Sequence, residues 1–211
     1  MTYQIGVIAN SNSHIDYVCQ LFGPMDQEQR PPPDAYAFGS FVAISLPHFP
    51  AASPATEQNT TTGAPCLIGV VYNSMLVNPS FTNLGPRLTS HTEQAVFSPD
   101  LIDETAMLVG LLALGWHDES GLQQGTPRLS AEVGATVRRL TDEEVRQFHR
   151  DRNGRPALRY AATLLAHNNP LVPALLVQII DHLDALFPEE KAILQVMRNN
   201  VAWKSIVQPA G

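Results

Sequence analysis

The run Ile5-Gly6-Val7-Ile8-Ala9-Asn10-Ser11 is echoed sixty-three residues later by Ile68-Gly69-Val70-Val71-Tyr72-Asn73-Ser74. Both runs are apolar and rich in β-branched residues, and both stop at the turn-forming pair Asn-Ser, so both read as strands. The shared glycine is the constraint. In a strand interior it gives up packing and chain entropy, and its recurrence indicates strands that bend sharply or lie against another backbone, as at the corners of a small barrel. Seven residues are too few to establish an internal duplication.

The rest of the first half supplies further strands. Ile15 to Phe22 stops at Gly23-Pro24, Gly39 to Leu46 reads as a third strand, and Cys66 to Val77 extends the second glycine-bearing run. Residues 24–35 carry four prolines and no apolar period, and 47–65 are small, polar and proline-punctuated, so both are expected to be connections. Residues 104–116 are apolar almost throughout. Leucine and alanine there favour helix while Gly110 and Gly115 oppose it, and the assignment taken is strand, with 98–104 as a short helical turn before it. Residues 126–140 open on a turn with Pro127 and continue as a strand through Val133, Thr136 and Val137.

At Thr141-Asp142-Glu143-Glu144 the pattern becomes helical. A threonine followed three residues later by glutamate is a capping box, and acids in the first turn suit the helix dipole, which predicts a helix to about His149. Residues 151–156 read as a linker. Beyond them Leu158, Ala161, Ala162 and Leu165 share a face, and after Pro173 a longer stripe is formed by Leu175, Ile179, Leu183 and Leu186. A last helix begins near Pro188 and carries Ile193, Leu194 and Met197 before Trp203, Ile206 and Val207. The expected fold class is α+β: a small N-terminal β-barrel over residues 1–150, followed by a C-terminal helical bundle or hairpin over 151–211.

Charge is unevenly placed. Residues 1–137 carry twelve acids against three arginines, and 138–211 carry eight acids against ten basic residues, within a net charge of −7. Seven of the thirteen cations, Arg138, Arg139, Arg146, Arg150, Arg152, Arg155 and Arg159, fall within twenty-two residues, interrupted by four acids. Such a run is either a solvated face with local ion pairs or a surface for nucleic acid or an acidic protein. The acidic first half argues against a chain whose main task is to coat phosphate.

Signals of chemistry are sparse. The sequence has no Gly-x-x-x-x-Gly-Lys-Ser/Thr loop, no Gly-x-Gly-x-x-Gly, no Gly-x-Ser-x-Gly, no His-Glu-x-x-His and no Cys-x-x-Cys, so neither a cofactor nor a metal is expected. Cys19 and Cys66 sit in apolar runs and read as small buried side chains, a pairing between them staying open. His14, His167 and His182 read as surface or capping residues. Trp116-His117-Asp118-Glu119 sets an imidazole beside two carboxylates, but where a strand should turn anyway. Asn59-Thr60-Thr61 has no secretory context, and the longest apolar runs are too short to span a bilayer, so the expected location is cytoplasmic and away from the membrane.

Taken in order, "YQIGVIANSNSHIDYVCQLF", "YAFGSFVAI", "CLIGVVYNSMLV", "LVGLLALGWHD" and "TPRLSAEVGATVRRLTDEEVRQF" resemble the HAS barrel, the small β-barrel named after the HerA-type DNA translocases and the ATP synthase subunits that carry it at their N-termini. The resemblance covers roughly residues 1–150. It implies a barrel that serves assembly and partner contact. A HerA-type protein would continue into a P-loop ATPase, whereas about sixty residues remain here, too few for an ordinary motor domain.

The sequence therefore points first to a non-enzymatic interaction or assembly module, an accessory or regulatory factor for a ring ATPase or a homo-oligomer, with Trp203 as an anchor at a protein contact. The alternative is a nucleic-acid-associated factor that uses the arginines of 138–159. A third reading is an enzyme with a site around His117 and Asp118.

Overall fold

A computed structural model describes residues 3–23, 31–46, 64–77, 106–167 and 169–207, with the backbone alone for Ala106 and for 203–207. The seven strands are β1 (Gln4–Ser11), β2 (Asp16–Leu21), β3 (Phe41–Ser45), β4 (Cys66–Val77), β5 (Ala106–Asp118), β6 (Gly121–Gln124) and β7 (Thr136–Arg139). Four helices follow, α1 (Asp142–His149), α2 (Ala161–Ala166), α3 (Val172–Leu186) and α4 (Lys191–Val207).

Six strands close a barrel in the order β1, β2, β5, β4, β3, β7 and back to β1, every pairing antiparallel. The expected α+β class, a barrel followed by helices, is borne out. β5 explains how a seventh strand fits. Leu108 to Leu112 pair with β2, and Gly115 to Asp118, further along, pair with β6 through a turn at 119–120.

The two opening glycines sit where the backbone must come close. The β1–β7 register slips between Gln4 and Gly6, and the β4–β5 register slips between Ile68 and Gly69. A Cβ on Gly6 would collide with the carbonyl oxygen of Gln20, and one on Gly69 would lie 3.1 Å from the carbonyl oxygen of Leu112. The expectation that these strands lie against another backbone holds at both.

Alternation divides the core into two layers. Ile5, Ile8, Tyr17, Cys19, Val42, Ile44, Leu67, Val71, Val109, Leu111, Ala113 and Val137 are buried together and fill the barrel. Phe41, Ala43, Ile68, Val70, Tyr72, Leu112 and Leu114, from the opposite faces of β3, β4 and β5, are buried instead against Val145, Phe148, Leu164, Leu175, Ile179 and Leu183 of the helices. At about 25 cal/mol per Å² of apolar area, this second layer makes the helices part of the same stabilising core.

The helices begin much as expected. The hydroxyl of Thr141 accepts from the Glu144 N–H while Glu144 Oε2 accepts from the Thr141 N–H, which is the capping box. α3 buries Leu175, Ile179, Leu183 and Leu186 as its stripe predicts. Three details differ. β7 occupies only Thr136–Arg139, because 126–135 is spent on turns that include Gly134 at φ 86°. β6 has no counterpart in the expected strands. In α2 the buried leucine is Leu164, with Ala162 and Leu165 exposed, since the helix starts only after Tyr160. The expected connections at 24–30 and 47–63 and the helical turn at 98–104 lie outside the described residues. Among the described residues no helix is long and apolar enough to cross a membrane.

Candidate interaction surface

The arginines do not form one field. Arg138 and Arg139 lie on β7 and are structural: Arg138 Nη2 donates to Glu144 Oε1 at 2.7 Å, and Arg139 Nη1 donates to Asp34 Oδ2 at 2.8 Å. Burial works to raise the Glu144 carboxyl, but the hydrogen bonds from Arg138 and Thr141 outweigh it and hold it below the usual range. Arg146, on α1, lays its guanidinium 5.9 Å from the centre of the Phe187 ring, and Arg155 reaches Glu190 at 3.5 Å. Arg150, Arg152 and Arg159 are exposed, and among the described residues their side chains have no acidic partner. The local-ion-pair reading thus describes three of the seven, Arg146 lies instead over an aromatic ring, and three remain turned to water at the α1–α2 connection. Trp203 lies on α4, and its side chain is outside the described residues.

The Trp116-His117-Asp118 segment borders a cavity of about 280 Å³ with Leu46, Leu67, Pro127, Arg128 and Leu129. Its carboxylate is already committed. Asp118 Oδ1 accepts from both the hydroxyl and the N–H of Ser120, and Oδ2 accepts from Trp116 Nε1 at 2.9 Å. The Ser120 hydroxyl first, and then these other donors, hold the carboxyl below its usual range, so it is a turn-stabilising anion. His117 pairs across the strands with Cys66, whose thiol is pushed up to about 11, chiefly by burial, and stays a neutral thiol. Cys19 and Cys66 are both free.

Two buried polar groupings lie where the barrel meets the helices. His149 is fully buried; its Nδ1–H donates to the Val145 carbonyl at 2.8 Å, so its Nε2 is the acceptor of the Tyr160 hydroxyl at 2.6 Å. Phe41 and Phe148 stand edge-on to the ring, and burial lowers its pKa to about 4. Asp16, 6% exposed, accepts from the Tyr72 hydroxyl at 2.9 Å and lies 3.7 Å from His167 Nε2. The His149–Tyr160 pair is a packing device of hydrogen-bonded groups, whereas in the second grouping His167 Nδ1 is buried without a hydrogen-bond partner among the described residues.

The geometry that offers something to a partner is the far end of the β4–β5 hairpin. β3 leaves β4 at Val70, and the last bonds on that edge join Val71 to Gly39 and Ser40. From Asn73 to Val77, β4 continues in register with Gly110 to Ala106 and, among the described residues, has no strand on its outer edge. Met75 and Val77 are each 39% exposed and Leu76 is 83% exposed. Neither 73–77 nor 106–110 contains a charged residue or a proline. Beside the root of this arm lies a groove of about 300 Å³, lined by Tyr36, Phe38, Tyr72, Asn73, Ser74 and Leu171 among others, with no charged side chain.

A family model described as a domain of unknown function, DUF8166, matches residues 1–210. The chain belongs to the DUF8166 family. No curated protein matches it. In this DUF8166 chain the arm and groove were not foreseen from sequence, although a signal was present: Asn73-Ser74 reads as a turn by composition, yet the run resumes with Met75-Leu76-Val77. His14 and His167 serve as bridges: the His14 ring is bonded to Pro127 and Ser130, and His167 sits against Asp16 and Tyr72. His182, within α3, lies 3.3 Å from Asp142 Oδ1 at the start of α1, a side-chain contact between the two helices.

Proposed function

We propose that the chain is a non-enzymatic β-barrel module for interaction or assembly, acting as a homo-oligomer or as an accessory factor of a ring-shaped ATPase. The observation that carries this reading is the pairing of a barrel interior packed with apolar side chains and an uncharged stretch of β4 that continues past the end of β3 with its outer edge open among the described residues. A filled barrel has no lumen for a substrate, while an open strand edge is a template for another chain. The committed carboxylate of Asp118 and the neutral Cys66 thiol support it too, as does the likeness to HAS barrels, which implies assembly and partner contact. A cytoplasmic location belongs to the same reading. Native mass spectrometry of the purified chain, with affinity capture from its own cells, tests it. A free monomer that captures nothing counts against it decisively.

A second reading, a nucleic-acid-associated factor, is favoured by one observation, the exposure of Arg150, Arg152 and Arg159 on a single connection. Binding of a duplex DNA or RNA probe should then weaken steeply with salt and fall when these three are neutralised together. Unchanged binding removes it.

A further inference from the structure

Resting on the interaction reading above, we propose that the occupant of the arm is a second copy of this chain, joined by antiparallel pairing of the two β4 edges at Asn73–Val77. Three observations select this occupant. The edge has no lysine, no proline and no covering strand among the described residues, and the register shift between Val71 and Asn73 lies at its root, before the open stretch begins. The chain carries a net charge of −7, and the arm and groove are a stretch where two copies meet without like charges. The third observation is register.

A two-fold axis at the middle of the open stretch sets Met75 opposite Met75 of the second copy, Ser74 opposite Leu76, and Asn73 opposite Val77. Side chains directly opposed across antiparallel strands share a face of the sheet. Leu76, the most exposed large apolar side chain described, is thereby brought beside Ser74, which lines the groove with Tyr72 and Phe38. The symmetric contact repeats on the other side. Each copy supplies a protruding leucine and receives one, so the contact closes at two and leaves neither edge free.

Sedimentation velocity on the full chain across a dilution series, from tens of micromolar downward, tests the proposal together with two kinds of variant. A reversible dimer is expected for the wild-type chain, and Leu76→Glu, at an exposed position, should give a monomer that still unfolds in one cooperative transition. Met75→Cys should form an intermolecular disulfide under mild oxidation, because opposed residues lie about 5 Å apart at Cα, within disulfide reach. Val77→Cys should not, since its counterpart lies four residues away across the pair. A monomeric wild-type chain, a ring or larger assembly, a dimer indifferent to Leu76→Glu, or a dimer in which Met75→Cys stays reduced overturns the arm as the contact. In each of those cases the interaction reading survives if another surface carries an assembly or a captured partner, whereas a monomer that captures nothing removes both.

Discussion

Lowering the pH should destabilise this fold through one side chain, and the amount is calculable. His149 is held neutral in the native state at a pKa of about 4, against 6.5 when free, because burial penalises the imidazolium, with the charge on His182 adding to the effect. Its carbonyl partner fixes the proton on Nδ1, so a second proton on Nε2 must also displace the bond from Tyr160. In the unfolded chain the ring protonates freely. Between 6.5 and about 4 the unfolded state therefore binds more protons than the native one, and stability present above the unfolded value is lost as the pH falls towards the folded value. At about 1.4 kcal/mol per pH unit the loss totals about 3 kcal/mol, of which about 2 kcal/mol falls between pH 7 and pH 5. Carboxylates titrate over part of the same range, so the measurement is comparative. Urea unfolding of the wild type and of His149→Gln, whose amide can donate to Val145 and accept from Tyr160, should show the stability difference between them shifting by about 2 kcal/mol against the wild type from pH 7 to pH 5. An NMR titration of the His149 ring reads the same property directly: it should keep its Nδ1–H tautomer at pH 5.5. Parallel stability curves, or an imidazole that titrates near 6.5, would refute the argument.

Other expectations follow from the packing. Gly6→Ala should cost about 2 kcal/mol or more, because its Cβ meets the Gln20 carbonyl, and should lower the melting temperature by several degrees in a thermal scan. Ile179→Ala, at a fully buried position between α3 and the barrel, should cost about 2–5 kcal/mol in urea unfolding; a transition in which the helices melt separately from the barrel would contradict their shared core. Thr141→Ala should cost about 1 kcal/mol in the same assay and free Glu144 from one side of its capping box.

Legibility followed burial. The run 104–116 looked ambiguous between helix and strand for a physical reason: β5 buries Val109, Leu111 and Ala113 in the barrel and Leu112 and Leu114 under the helices, so no polar face marks its period of two. The glycines gave the closure away because only a close backbone requires them in such runs. Thr141 to Glu144 was legible since a capping box is local chemistry. β6 was hidden because Gly121-Leu122-Gln123-Gln124 has no β-branched residue, and what holds it is Gln124, whose amide donates to the carbonyls of Phe148 and Ala157. The helical face at 158–165 was misphased by one leucine, since the helix waits for Tyr160 to reach His149, a contact across a turn that no periodicity announces. The arginines clustered in sequence were dispersed by the fold, two to β7 and the others to α1 and its following connection.

The same packing restricts where a partner must bind. The helices cover the outer faces of β3, β4 and β5, and side chains fill the interior, so neither surface is available without unfolding the second core layer. What the described residues leave open is the outer side of β1 at Gln4, Val7 and Ala9, the Thr136 end of β7, the arginine-bearing connection after α1, and the arm. Of these only the arm combines unpaired backbone, exposed apolar side chains and absence of charge, the three properties that make association favourable without a preorganised ionic match. The arginine connection offers charge without apolar area, and an exposed ionic contact of that kind yields little net energy and weakens with salt. A stable assembly of this chain should therefore be insensitive to salt and sensitive to Leu76, whereas a salt-labile one would have to run through Arg150, Arg152 and Arg159.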